Sequence, residues 1–305
     1  MKHRTIYLGM ILLSIFSFNG QSQQNEELVL RGPYLGQKPP GMKPEIFAPG
    51  LISIEGSAEY GAHFSPDLTE FYFTRNTPDA RAAIWVLKKT KDIWSEPKVI
   101  EFMDDYRGSE SCISFDGKNF FYVWVNKTSE SVEMDIYKAV RNANGWSKPE
   151  RLTDVDLGFR RVSPSVASNG NLYFSGDYDK SGQKDIYVSE FQEGEYSTPV
   201  NLGEKVNSEY HESHVFVSPD ERFIVFDSDR SNGNGQSDIY ISFKTEGGSW
   251  GEAQNLGAPV NGEYSEWYPT VTPDGKFLMF SRNAEGLADI MWVDIKVVEA
   301  LKSIK

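Results

Sequence analysis

The chain has 305 residues, 39% of them hydrophobic, and a formal net charge of −13 at pH 7. This acidic balance, without any basic cluster, argues against nucleic acid and anionic membrane surfaces as partners. Its single cysteine, Cys112, excludes an intramolecular disulfide.

Residues 1–22 have the pattern of a secretory signal peptide. A charged start at residues 2–4 precedes an apolar stretch over residues 6–18, and Gly20 and Ser22 suit a cleavage site. The apolar stretch is too short to span a bilayer, so no transmembrane segment is predicted. We therefore expect an exported protein, periplasmic or secreted, from a Gram-negative bacterium. Residues 23–45 are expected to form a linker or an arm over the domain that follows.

Residues 46–305 repeat one pattern five times: an apolar strand, a turn centred on Asp or Asn, and an aromatic strand. The turn residues, which lie 49, 53, 51 and 54 positions apart, are Asp67, Asp116, Asn169, Asp220 and Asp274. A period near 50 with strand-rich units is typical of a β-propeller with one blade per repeat.

Each repeat predicts four strands, which we label a to d. Strand a precedes the turn and strand b follows it. Strand c carries Asp-Ile-Tyr or a close variant, and a Gly-rich hairpin leads to strand d. The fifth repeat lacks strand d and ends in residues with helical spacing.

The missing strand is expected from the N-terminal side of the domain. Residues 48–53 resemble the strand-d segment 96–101, so we predict that they pair beside residues 289–293 and close the ring. The predicted fold is an all-β, five-bladed β-propeller of four-stranded antiparallel blades. An N-terminal strand closes it, and a short C-terminal helix ends the chain.

Three motifs carry a family resemblance. The Ser-Pro-Asp turn at 218–220, the segment 227–230 and the Asp-Ile-Tyr strand at 238–240 resemble the propeller repeats of TolB-like periplasmic proteins. The resemblance covers residues from about 46 to 294. It implies the propeller fold, and such repeats serve binding, scaffolding and, in some proteins, polysaccharide cleavage. The chain departs from TolB in having five predicted blades rather than six, and no separate N-terminal α/β domain.

The start of strand a carries the most chemically active side chains. Strand a lines the axis of a propeller, so residues at the same distance from the turn should form rings. Eight residues before the turn stand Glu59, Gly108, Arg161, Glu212 and Glu266. Six before it stand Gly61, Glu110, Ser163, His214 and Tyr268. Four before it stand His63, Cys112, Ser165, Phe216 and Thr270, and His211 lies just before the fourth strand a.

Three interpretations of this axial cluster stay open. The residues could be structural, because propeller channels are wet and Glu can bond neighbouring backbone groups. Glu59, His211, Glu212 and Glu266 could bind a ligand. The catalytic candidates are His63, Glu110, Arg161, His214 and Tyr268: His with Glu could hold a transition metal, or His could act as general base beside Tyr268 or Arg161.

The loop between strands b and c of the third repeat predicts a second candidate site. Oxygen-bearing residues occupy positions 1, 3, 5 and 9 of the loop, with Gly182 at position 6; they are Asp177, Asp179, Ser181 and Asp185. The spacing resembles the calcium loops of integrin-type propellers, and calcium prefers six to eight oxygen ligands. Asp, Ser and Gly are also ordinary turn formers. Calcium is the cofactor that this loop suggests.

The sequence predicts a binding module. Its expected partner is a protein or cell-envelope component, a glycan included, docked on the face that bears the d–a and b–c loops. The alternative is a carbohydrate-active enzyme, similar to a polysaccharide lyase, that uses the axial His/Glu cluster. A purely structural role in an envelope complex is a third hypothesis.

Overall fold

The computed structural model describes residues 30–76, 82–103, 107–127, 132–153, 155, 159–177, 183–284 and 286–302. The predicted signal peptide and residues 23–29 of the predicted linker lie outside the described residues. The remainder of that segment packs on the propeller. A 3₁₀ turn at Pro33–Gly36 buries Tyr34 and Leu35. The Tyr34 ring lies 5.0 Å from the ring of Phe277 and 5.6 Å from that of Trp292, measured between centroids.

An N-terminal strand closes the ring, as predicted, but with other residues than 48–53. The strand β1 (Glu45–Ile46) pairs antiparallel with the last strand of the chain, and the Phe47 amide donates to the Ile290 carbonyl at 2.7 Å. The Ile100 amide bonds Ile84 in the same way in the first blade. The prediction aligned on the wrong proline. Pro44 precedes β1 as Pro97 precedes the strand-d residues of the first blade, whereas residues 48–53 form a turn in which Ser53 Oγ accepts the Ile290 amide of the last strand at 3.2 Å.

The remaining strands follow in chain order. The first blade contains β2 (Glu59–Phe64), β3 (Glu70–Asn76), β4 (Ala82–Thr90), β5 (Ile93–Trp94) and β6 (Lys98–Val99). The second contains β7 (Gly108–Ile113), β8 (Asn119–Lys127), β9 (Val132–Asn142), β10 (Gly145–Trp146) and β11 (Glu150–Arg151). The third contains β12 (Phe159–Val166), β13 (Leu172–Asp177), β14 (Asp185–Ser189), β15 (Phe191–Gln192), β16 (Glu195–Tyr196) and β17 (Val200–Asn201). The fourth contains β18 (Glu212–Val217), β19 (Phe223–Ser228), β20 (Asp238–Phe243) and β21 (Gln254–Asn255). The fifth contains β22 (Ser265–Val271), β23 (Phe277–Ala284) and β24 (Leu287–Asp294), and helix α1 (Lys296–Lys302) follows it.

These strands form the predicted five-bladed propeller. Strands a, b, c and d of each blade pair antiparallel in sequence order, with β1 as strand d of the fifth blade. The innermost strands β2, β7, β12, β18 and β22 each contact the next, and β22 contacts β2. The ring is therefore closed, and the short terminal helix is present as predicted.

Local hydrogen bonds explain the repeated turn between strands a and b. In the first blade the Ser65 hydroxyl accepts the Glu70 amide at 2.8 Å, and the Asp67 carboxylate accepts the Thr69 amide at 3.1 Å. Burial raises the pKa of Asp67, but hydrogen bonds from Ser65 and Thr69 outweigh it and leave that pKa below its usual value. The motif thus forms a tight turn between strands a and b, at the end of the blade opposite the d–a and b–c loops.

The hydrophobic core lies between the blades rather than inside one. Side chains alternate across each strand, so Phe120 and Tyr122 of β8 face the first blade while Phe121 faces the third. Val297 and Val298 of α1 pack into the cluster between the fourth and fifth blades.

Candidate functional site

Each innermost strand contains a bulge at the same place. The strand-pair register shifts there in all five blades, and the bulged residue has a left-handed backbone. These residues are Gly61 (φ 61°), Glu110 (54°), Ser163 (53°), His214 (46°) and Tyr268 (51°). They are the positions six before the turn, and we call them the upper axial ring. A positive φ is costly for a residue other than glycine, and here the bulge turns each position toward the axis.

A hydrogen-bond network joins the upper axial ring across the channel. The Tyr268 hydroxyl donates to Glu110 Oε1 at 2.9 Å. The Ser163 amide and hydroxyl donate to Glu110 Oε2 at 2.8 and 2.9 Å. Burial and the charge of Glu110 raise the pKa of Tyr268 well above its usual value, so the phenol stays protonated as a donor. The network links the fifth, second and third blades.

His214 is held in one orientation at the edge of this network. Its Nδ1 lies 2.8 Å from Asp227 Oδ1, and the same oxygen accepts the Tyr268 amide at 3.1 Å. The His214 ring centroid is 3.6 Å from that of Tyr268. The upper ring leaves a cavity of about 30 Å³, which has room for one or two water molecules.

The positions four before the turn form a second, lower ring around another cavity of about 70 Å³, namely His63, Cys112, Ser165, Phe216 and Thr270. The His63 ring stacks on Tyr72 with 5.3 Å between centroids. Burial lowers the pKa of His63 to about 4, an effect that the nearby Gly61 backbone only partly offsets. His63 and His214 therefore line different cavities and do not form one site.

The glutamates eight before the turn are fully buried in ion pairs with an arginine from strand b or the residues after it. The pairs are Glu59 with Arg75 at 2.7 Å, Glu212 with Arg230 at 3.0 Å and Glu266 with Arg282 at 2.7 Å. Each arginine also donates to a carbonyl of the preceding d–a connection, at Ile52, Val206 and Val260. We call this arrangement the Glu–Arg bridge. It binds the blade to its neighbour and keeps these carboxylates out of the axial cavity.

His211 and Arg161 are the remaining predicted residues. His211 accepts the Lys184 amide at its Nδ1 at 3.2 Å, and its own amide donates to Asp229 at 2.8 Å, so it ties two upper loops together. Arg161 pairs through its backbone with Gly176 in β12, and its side chain is outside the described part of the chain.

The predicted calcium loop is only partly described, since Asp179 and Ser181 lie outside the described residues. The Asp185 carboxylate accepts the side-chain amide of Asn201 at 2.7 Å. Asp238, the equivalent residue of the fourth blade, accepts Asn255 at the same distance. The Asp of the Asp-Ile-Tyr strand thus bonds strand d. Among the described residues, no group of three or more His, Cys, Asp or Glu is placed to hold a metal ion.

Sequence reasoning missed one site, which we call the blade-2 cleft. It is a cavity of about 500 Å³ lined by Phe102, Met103, Arg107, Tyr122, Trp124, Tyr137, Lys148 and Pro149. A signal was available: eight residues before the turn, the second repeat has Gly108 where three other repeats have Glu.

No family model matches this chain, and no curated protein matches it significantly. Solved structures share the fold. A structure assigned as TolB from Agrobacterium tumefaciens has 18% identity and a TM-score of 0.54, over 79% of this chain and 78% of that one. An endo-arabinase from Bacteroides thetaiotaomicron has 12% identity and a TM-score of 0.51, over 80% and 95%. An α-L-arabinofuranosidase from Lactobacillus brevis has 12% identity and a TM-score of 0.50, over 77% and 89%.

These likenesses establish the fold alone, because each identity is low. Together with the five-bladed ring, they show a β-propeller that is similar in fold to TolB. No helix within the described residues is long and apolar enough to cross a membrane.

Proposed function

We propose that this chain is an exported binding module that docks a protein or cell-envelope component on the face bearing the d–a and b–c loops. The observation that carries the proposal is the closure of the axial channel by its own side chains. The Tyr268 hydroxyl reaches Glu110 across the axis, and the space left in the upper ring is about 30 Å³. A polymer substrate does not fit such a space, whereas a partner bound on the face needs no channel.

The loops of this face are preorganised where the structure describes them. In the fourth blade, Asp238 accepts the amides of Asn234 and Gly235, and the Tyr210 hydroxyl donates to Ser231 at 2.8 Å. A loop already held in one conformation loses little entropy when a partner binds, which favours affinity.

A second candidate function is a carbohydrate-active enzyme, and His214 is the observation that favours it. The imidazole is oriented by Asp227 and lies against Tyr268, the arrangement that a general base beside a proton donor needs. Two solved structures with this fold act on arabinose-containing substrates by name. In this case the Tyr268–Glu110 hydrogen bond must open to admit a sugar.

The binding proposal is tested by blocking one face at a time. In a Cys112→Ala background, a polyethylene glycol chain is attached through Asn234→Cys on the loop face or Lys118→Cys on the opposite face. Binding to purified cell-envelope fractions is measured by co-sedimentation. We expect modification at 234 to weaken binding by at least about tenfold and modification at 118 to leave it unchanged. Equal binding by both conjugates would rule out docking on this face.

The enzyme alternative is tested by turnover of acidic and arabinose-containing polysaccharides, followed by chromatography of the products. Activity that His214→Gln abolishes and His63→Gln preserves would replace the binding proposal with the enzyme. We expect no turnover by the wild type, because the axial channel is closed.

A further inference from the structure

The Glu–Arg bridge fills an equivalent space in three blades. There the guanidinium lies over the aromatic side chains of strands b and c. Arg75 is 5.0 Å from the ring centroid of Phe73 and 5.1 Å from that of Trp85. Arg230 and Arg282 cover the equivalent rings of the fourth and fifth blades, Tyr240 at 4.9 Å and Phe280 at 5.5 Å. The bridge therefore covers the aromatic layer and occupies the gap beneath the d–a connection.

The second blade lacks both members of the bridge. Gly108 pairs with Trp124 at the register where Glu59 pairs with Arg75 and Glu266 with Arg282. The aromatic layer is present as Tyr122 and Tyr137, whose centroids are 5.9 Å apart. This layer borders the blade-2 cleft. The volume of about 500 Å³ is within the range of small-molecule sites.

Packed side chains form the floor of the cleft. Gly108 has no room for a Cβ, which would lie 2.1 Å from Met103 Cε and 3.0 Å from Tyr122 Cδ2. Met103 accepts the Ile84 amide at its sulfur, at 3.3 Å. Phe102 packs on Tyr122 with 5.6 Å between centroids. These contacts hold the aromatic rings in place, so the side chains of the floor do not move into the cleft and fill it.

We propose that the blade-2 cleft binds a glycan residue that carries a carboxylate, such as a uronate; this rests on the proposed binding function and names its ligand class. Trp124 and Tyr137, 5.6 Å apart between centroids, offer aromatic faces whose negative quadrupole attracts the C–H face of a sugar ring.

Charge selects the anionic sugar. Arg107 and Lys148 contribute cationic side chains to the lining in a chain whose net charge is −13. Both residues are exposed. A neutral sugar would use only the aromatic platform, whereas a carboxylate would also form charge-assisted hydrogen bonds with these cations.

The test compares the titration of a galacturonate trisaccharide with that of a galactose trisaccharide by calorimetry. We expect the charged trisaccharide to bind at least about tenfold more tightly. Trp124→Ala should weaken both by about tenfold or more, and Lys148→Met should weaken only the charged one. Tyr264→Ala removes an exposed aromatic side chain from the same face outside the cleft and should change neither.

A second variant restores the bridge that the other blades contain. Gly108→Glu with Trp124→Arg should fill the cleft and abolish binding in a protein that still unfolds cooperatively. Because a side chain at 108 must displace Met103, the Trp124→Ala variant tests the same aromatic side chain without that displacement.

Failure of the galacturonate trisaccharide to bind at millimolar concentration would overturn the proposal, as would wild-type affinity in Trp124→Ala. A peptide that occupies the cleft without competition from galacturonate would also overturn it. If Trp124→Ala still binds cell-envelope fractions in that case, the proposed docking on the loop face is retained, and only the proposal that the cleft binds a glycan is rejected.

Discussion

The second and fifth blades share strand order and turn chemistry but differ in one layer. In the fifth, Arg282 pairs with Glu266 and covers Phe280. In the second, Gly108 and Trp124 stand at those positions and a cleft opens instead. The aromatic strands and the β pairing are common to both blades, so they carry the fold. The polar bridge fills space locally, and in the second blade, where it is absent, a cavity of about 500 Å³ is found.

The largest effect should follow from removing the strand that completes the fifth blade. Deleting residues 23–47 removes β1 with Tyr34 and Phe47, which are 6% and 0% exposed. Losing a single buried aromatic side chain costs about 3–5 kcal/mol, and whole domains are stable by roughly 5–15 kcal/mol. We expect loss of cooperative thermal unfolding, followed by circular dichroism. Met42→Ala, at an exposed position of the same segment, is the control, and a truncated chain with an unchanged melting temperature would contradict ring closure by β1.

Breaking the bridge of the fifth blade should have the next largest effect. Arg282→Met leaves the buried Glu266 carboxylate without its partner, so we expect a loss of about 3–5 kcal/mol in urea unfolding. Arg151→Met, which breaks the more exposed pair with Asp135, should cost less than about 1 kcal/mol. Burial already raises the pKa of Glu266, so the carboxyl of the variant should take up a proton and the loss should shrink in acid. Equal losses for both variants would show that the bridge is only a surface pair.

The packing of His63 between the first and second blades should make the stability of the protein depend on pH. The pKa of His63 is about 4 in the folded chain against 6.5 when unperturbed. The unfolded chain binds the proton first, so stability is complete above about pH 6.5 and is lost as pH falls toward 4. The shift corresponds to about 3 kcal/mol at most. His63→Phe should remove this part of the pH dependence, measured as the difference between the two unfolding curves. Parallel curves for wild type and variant would show that His63 does not titrate against folding.

The smallest effect is expected in the third blade, where calcium binding stays a prediction. Calcium at about 1 mM should raise stability by about 1.4 kcal/mol if the loop binds the ion with a dissociation constant near 0.1 mM. Asp179→Ala should abolish the increment, because that carboxylate is a proposed ligand. Melting curves that coincide with calcium and with chelator would end the hypothesis.

The sequence by itself determined the number of blades and the positions of the rings. Turn chemistry is local, since Ser65, Asp67 and Thr69 bond within five residues of each other. The spacing of these turns in the sequence therefore predicts the spacing of the blades. Equal distance from the turn also identified Gly61, Glu110, Ser163, His214 and Tyr268 as one ring, because every copy has the same bulge.

Only the tertiary structure decided what each ring does. Tyr268 bonds Glu110 across 158 residues, and no local pattern predicts which side chains meet over an axis. The sequence could not identify the closing strand, because both Pro44 and Pro49 are followed by residues that resemble a strand d. Only the pairing of β1 with β24 distinguishes the two segments. The glutamates predicted to bind a ligand form ion pairs with arginines from the neighbouring strand b or the residues after it. The blade-2 cleft lies where the second blade has Gly108 and Trp124 in place of that Glu–Arg pair. A sequence records which residues depart from a repeat, whereas the packing of neighbouring blades decides whether that departure leaves a space.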